Sequence, residues 1–254
     1  MKRLRLLVLF LIVLAFSSCV DIEEHYDFKA DGSCNVAYTF DMSKAVSVLM
    51  NLMTDSVRET PQFNLVKDTT LNFYSALPDS ISHKMTVEEI EMTQKSELTI
   101  NMNLKKNIMK VSVDHEAQNN SELKYYLQHL NNISMNSQFA NVTDNKLAPG
   151  DFDAKSLLTS QDYYNYEITP HKFYRIIDKE KFKSFLKKTG SKFAMAKAML
   201  IDMPYKVVLN FVKPVKKLNN PKAVLSADRR KVTLVTSMDE VMKNPSLMNL
   251  QIDF

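Results

Sequence analysis

Apolar and polar residues alternate in two neighbouring stretches near the start of the chain, residues 22–28 and 36–40. Successive side chains of an extended strand point to opposite faces, so each stretch places its apolar residues on one face. Residues 30–33, which separate the two stretches, read Ala-Asp-Gly-Ser. Because glycine tolerates the positive φ that tight turns require, the pattern predicts a β-hairpin and a fold that contains an antiparallel sheet.

A second hairpin is predicted by the same alternation in residues 98–104 and 109–113, with a turn at Lys106-Asn107 between them. Shorter apolar runs predict further strands at residues 71–74, 161–168, 205–212, 223–226, 231–237 and 250–254. Most of these strands follow one another closely in the chain, as antiparallel neighbours do.

Helical spacing of apolar residues is found between these strands. Ser43 and Ser121 are the expected N-caps of two helices, and a short helix is expected near Met238–Lys243. Residues 178–200 predict the longest helix, with an apolar stripe of Phe182, Phe185, Leu186, Phe193, Ala196 and Leu200. The sequence therefore predicts an α+β fold: an antiparallel sheet built from hairpins, covered by a long basic amphipathic helix and shorter helices.

The composition is that of a globular protein that can bury a core. Hydrophobic residues make up 45% and charged residues 24% of the 254 positions. The three glycines, Gly32, Gly150 and Gly190, are far apart. Nucleotide-binding loops need closely spaced glycines, so the glycine-rich phosphate loops are excluded.

The first 18 residues have the layout of a secretory signal peptide. Lys2, Arg3 and Arg5 precede an apolar run over residues 6–16, and Ser17-Ser18 follow it. A helix of this run would extend about 17 Å, which is short of the roughly 30 Å of a bilayer's hydrocarbon core. An uncleaved anchoring helix is the alternative interpretation.

The residues Phe16-Ser17-Ser18-Cys19 resemble the lipobox, the cleavage and lipidation site of bacterial lipoproteins. The lipobox usually has Leu three positions before the cysteine, where this chain has Phe16. The resemblance implies that Cys19 becomes the first residue of the mature chain, with its sulfur bonded to diacylglycerol. Several acyl chains together give stable anchoring where one would be marginal.

This interpretation divides the chain into a lipoprotein signal peptide (1–18), an anchor or tether (19–25) and a single α+β envelope domain (26–254). It predicts a location in the bacterial cell envelope, lipid-anchored at the outer membrane. Cys34, the second cysteine, would then have no disulfide partner within the chain. Its expected role is that of a small buried side chain.

Charge is distributed unevenly along the chain. Residues 19–170 contain 22 acidic and 12 basic side chains, whereas residues 171–254 contain 7 acidic and 18 basic ones. Removal of the signal peptide brings the formal charge from +4 to about +1, so nucleic acid is not an expected partner. The asymmetry indicates either a charged partner or two parts of one domain that attract each other.

Neither metal sites nor catalytic motifs are indicated. The histidines are scattered, and none is paired with another His or Cys at metal-ligand spacing. Asp114-His115-Glu116 is the densest cluster, but neighbours on a strand point to opposite faces, and a solvated strand end is expected. Hydrolase nucleophile motifs are missing from the sequence. The sequence predicts no metal, no cofactor and no enzymatic activity.

Lysines follow one another along the predicted long helix. The candidate basic patch, which could face an anionic ligand or the membrane, consists of Lys179, Lys183, Lys187, Lys188 and Lys192. The alternative is a helix that packs its apolar stripe on the sheet and exposes lysine to water. A sheet with hydrophobic faces needs such a cover, which favours the alternative.

Three stretches, residues 55–57, 68–70 and 79–81, resemble the Asp-Ser/Thr-apolar acceptor of O-glycosylation in Bacteroidota envelopes. The resemblance implies Ser56, Thr69 and Ser80 as candidate modification sites.

The stretch DFKADGSCNVAYTFDMS and the last 50 residues resemble cell-envelope lipoproteins of the Bacteroidota and, more distantly, the LppM-like domain. In those chains a hairpin with Asp-Gly opens the domain, and three strands with a Pro-Val and an Asp turn close it. The resemblance implies an α+β envelope domain and, at the level of the family only, lipid or glycolipid binding as one candidate function.

From these observations we expect a lipid-anchored, non-enzymatic binding module of the cell envelope, with a lipid, a glycan or a protein as its ligand. The alternative is a structural or assembly lipoprotein that docks on an envelope protein. An apolar cavity between sheet and long helix would favour the first, and a flat, exposed apolar patch would favour the second.

Overall fold

The computed structural model describes residues 20–64, 66–77, 79–134, 163–198 and 203–254. Within them the chain forms two β-sheets with helices between the strands, which confirms the α+β class. The strands are β1 (Asp21–Phe28), β2 (Cys34–Asp41), β3 (Val66–Asn72), β4 (Ser96–Asn103), β5 (Ile108–Ala117), β6 (Tyr164–Thr169), β7 (Lys172–Ile177), β8 (Pro204–Asn210), β9 (Lys217–Asn219), β10 (Val224–Leu225), β11 (Lys231–Ser237) and β12 (Leu250–Asp253). The helices are α1 (Ser43–Leu52), α2 (Asp55–Arg58), α3 (Asp79–Ser82), α4 (Val87–Gln94), α5 (Asn120–Ser134), α6 (Lys179–Ala198) and α7 (Met238–Lys243).

The larger sheet has eight strands in the order β10-β11-β8-β1-β2-β5-β4-β3. Antiparallel pairing dominates, as predicted, and both predicted hairpins form. However, β1 and β8 run parallel. The hairpin turn determines only one neighbour of β1, the antiparallel strand β2. The other neighbour, β8, comes from a distant part of the chain, and the alternation of apolar residues does not show whether such a strand pairs parallel or antiparallel.

A second sheet, in the order β6-β7-β12-β9, lies over one face of the large sheet. The rings of Tyr26 on β1 and Phe173 on β7 approach to 5.4 Å between centroids, and both side chains are fully buried. Four apolar residues that follow Ser121 at helical spacing lie on α5 and are also buried there: Leu123, Tyr126, Leu127 and Leu130. One continuous hydrophobic core therefore joins both sheets and α5.

The predicted boundary between tether and domain, at residue 26, lies inside β1. Residues 21–28 all pair with β2, and Ile22 and Glu24 are buried. Residues 21–25 therefore belong to the folded domain. The alternation of apolar residues already includes Ile22, which is the physical reason why the strand begins there.

The long helix predicted at residues 178–200 is present as α6, which spans Lys179–Ala198. Phe182 is buried in the core, and Phe185 and Leu186 pack against it. The rest of the predicted apolar stripe lies outside the described side chains, so its cover over the sheet stays a prediction. In the part of the chain that the structure describes, no helix combines the length and the apolar character needed to cross a membrane.

Several elements are missing from the sequence prediction, above all α4, β7 and β9. The helix α4 lies between the strands predicted at residues 71–74 and 98–104, where the sequence predicts no element, and it begins with a capping box between Thr86 and Glu89. The strand β7 alternates strictly between buried and half-buried residues, but it follows β6 after only two residues. Because only two residues separate the two strands, no clear turn divides their apolar residues, and the sequence predicts the first strand alone, at residues 161–168.

Candidate functional site

A polar groove opens on the outer side of the second sheet, where β9, β12 and the loops beside them meet. It has a volume of about 250 Å³ and is lined by Ile176, Asn219, Asn220, Pro221, Ser246, Asn249 and Gln251. Gln251 of β12 lies opposite Tyr174 of β7 on one side and opposite Asn219 of β9 on the other. The strand register therefore brings three polar side chains from three strands into one row.

The walls of the groove are fixed by Asn220. Its amide nitrogen donates to the backbone carbonyls of Leu247 and Asn249 at 2.9 and 2.7 Å. Its amide oxygen accepts from the backbone N–H groups of Lys222 and Ala223 at 2.8 and 3.1 Å. All the hydrogen-bonding capacity of this amide is directed at the backbone, so Asn220 holds the two loops together and is not itself a ligand contact.

The other amides of the groove keep donors and acceptors available. Asn219 donates to the amide oxygen of Gln251 at 2.7 Å, and the amide oxygen of Asn249 accepts from the N–H of Ile177 at 2.8 Å. Among the described residues, the Asn219 oxygen, the Gln251 nitrogen and the Asn249 nitrogen form no further hydrogen bond. One acceptor oxygen and two NH2 groups therefore remain for a ligand.

The groove is uncharged, because its lining contains no Asp, Glu, Lys, Arg or His. It also lacks a pair of side chains that could act as nucleophile and general base. Its volume lies below the roughly 300–1,000 Å³ of pockets that enclose drug-sized ligands. The groove can thus hold one ring-sized, neutral and polar portion of a larger ligand.

The predicted basic patch is placed only in part. Lys179, Lys183 and Lys187 are exposed and follow one another at every fourth residue on α6, so they share one face of the helix. The backbone of α6 also includes Lys188 and Lys192, but their side chains lie outside the described ones.

The candidate modification residues are found in different environments. Ser56 on α2 and Ser80 on α3 are exposed, whereas Thr69 is half-buried. Thr69 lies opposite the buried Ile100 and thus on the core side of the edge strand β3. Two of the three hydroxyl groups are therefore accessible in the folded chain, and the third is partly shielded.

Cys19 lies outside the described residues, so its lipidation stays a prediction. Cys34 is buried, as predicted, and burial raises the pKa of its thiol to about 12. A thiol with such a pKa remains protonated and unreactive at neutral pH.

The cluster Asp114-His115-Glu116 is not a solvated strand end throughout. His115 is buried, stacks on Tyr126 at 3.8 Å between ring centroids, and hydrogen-bonds Ser96, while its two acidic neighbours face solvent. Alternation along β5 separates the ring from both carboxylates. In the described ranges, no three His, Cys, Asp or Glu side chains are arranged to hold a metal ion.

Sequence reasoning missed the groove because its polar residues come from strands and loops that are far apart in the chain. The only local signal is the density of Asn in residues 219–220 and 244–249. Comparison adds no family to this description: the chain matches no protein-family model, no curated protein and no solved structure.

Proposed function

We propose that this chain is a lipid-anchored, non-enzymatic binding module of the bacterial cell envelope, and that its groove binds a neutral sugar of a larger glycan. The observation that supports the ligand class is the lining of the groove, which combines free amide donors and acceptors with no charge. Sugar hydroxyl groups both donate and accept hydrogen bonds, so they can use both kinds of group at once.

A lipid in the interior is the less favoured ligand. The space between the two sheets is filled by side chains such as Tyr26, Phe173 and Leu209, which are fully buried. An acyl chain would have to displace this packing, and protein interiors are as dense as organic crystals. A polar surface groove needs no such displacement.

In this proposal α6 covers one side of the core with its apolar residues. Phe182, Phe185 and Leu186 supply the first part of that cover. Lys179, Lys183 and Lys187 remain in contact with water.

Saturation-transfer NMR with chitotetraose and maltoheptaose tests the ligand class, with a heparin tetrasaccharide as the anionic comparison. At least one neutral oligosaccharide is expected to bind. The variants Asn219→Ala and Gln251→Ala should each weaken that binding about three- to tenfold, since one net hydrogen bond contributes about 1 kcal/mol.

The matched control is Asn35→Ala, because Asn35 is an exposed amide on β2 in the other sheet. It should bind like the parent chain. Selective binding of the anionic oligosaccharide, or equal affinities for the groove variants and the parent, would contradict the proposal. Capture of an envelope protein that no sugar displaces would instead support the assembly lipoprotein.

A further inference from the structure

The chain enters the folded domain beside α1. Asp21, the first residue of β1, pairs with Asp41, and α1 begins two residues later at Ser43. The side chain of Lys44 on α1 bonds the Asp21 carboxylate at 3.2 Å. Cys19 precedes Asp21 by two residues, which limits the separation of their Cα atoms to about 7 Å. An acyl anchor on Cys19 would therefore be attached next to α1.

Four large apolar residues are exposed on the elements around this entry point. They are Val48 and Leu52 on α1, Val57 on α2 and Val66 at the start of β3, with exposed fractions of 49, 78, 41 and 66%. We call them the entry-side patch. The chain's described part exposes eight such residues in total, so half of them belong to these neighbouring elements.

A small separate core underlies the patch. Val46 and Met50 of α1 are buried against Leu104, which lies in the turn between β4 and β5. Met53, Phe63, Met102 and Met109 pack around them. Methionine side chains are flexible and adapt to different partners, so this core can adjust when the patch above it is covered.

The exposed positions of α1 are unusual for a helix that faces water. Lys44, Val48 and Leu52 follow at every fourth residue, and Lys44 is the only charged residue in the helix. The outer stripe of a surface helix is normally polar, because the opposite stripe already faces the core. Val48 and Leu52 make this stripe apolar instead, and together with Val57 and Val66 they form a group of exposed apolar residues, the kind of surface that marks an interaction site.

Cations surround the patch. Lys105 and Lys106 lie in the turn that packs on α1, and Lys110 pairs with Asp41 in the strand register. All three lysines are exposed, and none forms an ion pair within the described residues. Four exposed or half-buried acidic residues on the same elements, Asp41, Asp55, Glu59 and Asp68, offset part of this charge. Apolar side chains with lysines beside them are typical of surfaces that lie in a membrane interface.

We propose that the entry-side patch rests on the bilayer into which the anchor inserts, with Val48 and Leu52 among the acyl chains and the lysines at the headgroups. This inference rests on the proposed anchoring at Cys19. The anchor supplies the membrane affinity, and the patch determines which side of the domain faces the lipid. A second copy of the chain and a protein partner are the competing occupants.

The chain contains no tryptophan, so one introduced indole reports on one position. The full-length Leu52→Trp lipoprotein, extracted from the bacterial membrane, would be reconstituted into vesicles of phosphatidylethanolamine and phosphatidylglycerol with and without doxyl-labelled acyl chains. We expect blue-shifted emission that the doxyl lipids quench by at least half. Val66→Trp, on another element of the patch, should be quenched in the same way.

The control is Val212→Trp, since Val212 is 44% exposed and follows the opposite end of β8. Its emission should be unaffected by the doxyl lipids. Quenching of this control to the same degree, or unquenched emission at both patch positions, would overturn the proposal. A blue shift without quenching would also overturn it.

Intact mass of the same preparation separates the two proposals. A chain that starts at Cys19 and carries acyl mass supports the anchor whatever the fluorescence shows. A chain that retains residues 1–18, or lacks acyl mass, contradicts the proposed anchoring and with it the lipid-anchored function.

Discussion

His115 is a buried histidine that the fold keeps neutral. Ser96 donates its hydroxyl hydrogen to the carbonyl of Met92 at 2.7 Å, so its oxygen must accept from Nδ1–H of His115 at 2.9 Å. The proton of the neutral ring is thus on Nδ1, and Nε2 is buried without a hydrogen-bond partner in the described chain. Protonation would place a charge there, next to the stacked ring of Tyr126.

Burial, and secondarily the positive charge of Lys95, lowers the pKa of His115 to about 4, although Glu122 acts in the opposite direction. In the unfolded chain the imidazole of His115 is protonated with its ordinary pKa near 6.5. The contribution of the neutral His115 to the free energy of unfolding is therefore lost as the pH falls from 6.5 to 4. The loss at pH 4 amounts to roughly 3 kcal/mol.

In the variant His115→Phe this pH dependence should disappear. Urea unfolding at pH 7, 5.5 and 4 gives the free energy of unfolding of both chains. Between pH 7 and pH 4 this free energy should fall by about 3 kcal/mol less in the variant than in the parent chain. His83→Gln, at an exposed position, is the control and should run parallel to the parent. Equal slopes for His115→Phe and the parent would show that the ring is not kept neutral.

At the scale of the element, α5 shows how a helix start can be misassigned by two residues. The sequence predicts Ser121 as the N-cap, but the side-chain oxygen of Asn119 accepts from the N–H groups of Ser121 and Glu122, both at 3.0 Å. Glu122 in turn accepts from the N–H of Gln118 at 3.1 Å and from Lys95 at 2.8 Å. Asn119 is therefore the cap, and Ser121 is the second residue of the helix.

Asn119→Ala should lower the free energy of unfolding by about 1 kcal/mol, because two N–H groups lose their acceptor. Ser121→Ala, two positions on, should change it by less than about 0.5 kcal/mol, since an exposed position of the first turn tolerates alanine. Urea unfolding midpoints of the two variants provide the comparison. A larger loss for Ser121→Ala would restore the predicted cap.

Elements whose signal is local could be predicted, and elements defined by distant pairing could not. The hairpin β1–β2 and the apolar stripe of α5 follow from spacing alone, and both are present. The strand β7 and the residues of the groove depend on neighbours far away in the chain. Arg175 on β7 shares the buried face of the strand with Phe173 and Ile177, and its partner Glu24 lies in the other sheet, far away in the chain.

At the scale of the whole molecule, part of the charge asymmetry is satisfied internally. In the part of the chain that the structure describes, ion pairs join the acidic first part of the chain to the basic second part, among them the buried pair Glu24–Arg175 at 2.6 Å and the half-exposed pair Glu23–Lys206 at 3.2 Å. At these two pairs, acidic and basic parts of one domain attract each other, which is one of the two explanations that the charge distribution allows. Within the described residues, Lys179, Lys183 and Lys187 of α6 and Lys105 and Lys106 of the β4–β5 turn form no ion pair.

The pair Glu24–Arg175 lies between the two sheets within a network of aromatic residues. The Glu24 carboxylate also accepts from the hydroxyl of Tyr26 at 2.8 Å, and that hydroxyl lies 3.0 Å from the one of Tyr38. Burial raises the pKa of Tyr26, so its hydroxyl stays protonated and can donate. The guanidinium of Arg175 lies 4.6 Å from the ring centre of Tyr164. Both sheets therefore contribute to one polar cluster.

Arg175→Met should lower the free energy of unfolding by about 3–5 kcal/mol, because it leaves a carboxylate buried without its counter-charge. The double variant Glu24→Leu/Arg175→Met should be more stable than Arg175→Met alone, since it removes the unpaired charge as well. Lys206→Met breaks the half-exposed pair and should cost less than about 1 kcal/mol.

Urea unfolding followed by circular dichroism and by tyrosine fluorescence gives all three values, and both signals should change in one transition because the sheets share a core. Two separate transitions in the parent chain, or a double variant less stable than Arg175→Met, would mean that the cluster does not couple the sheets.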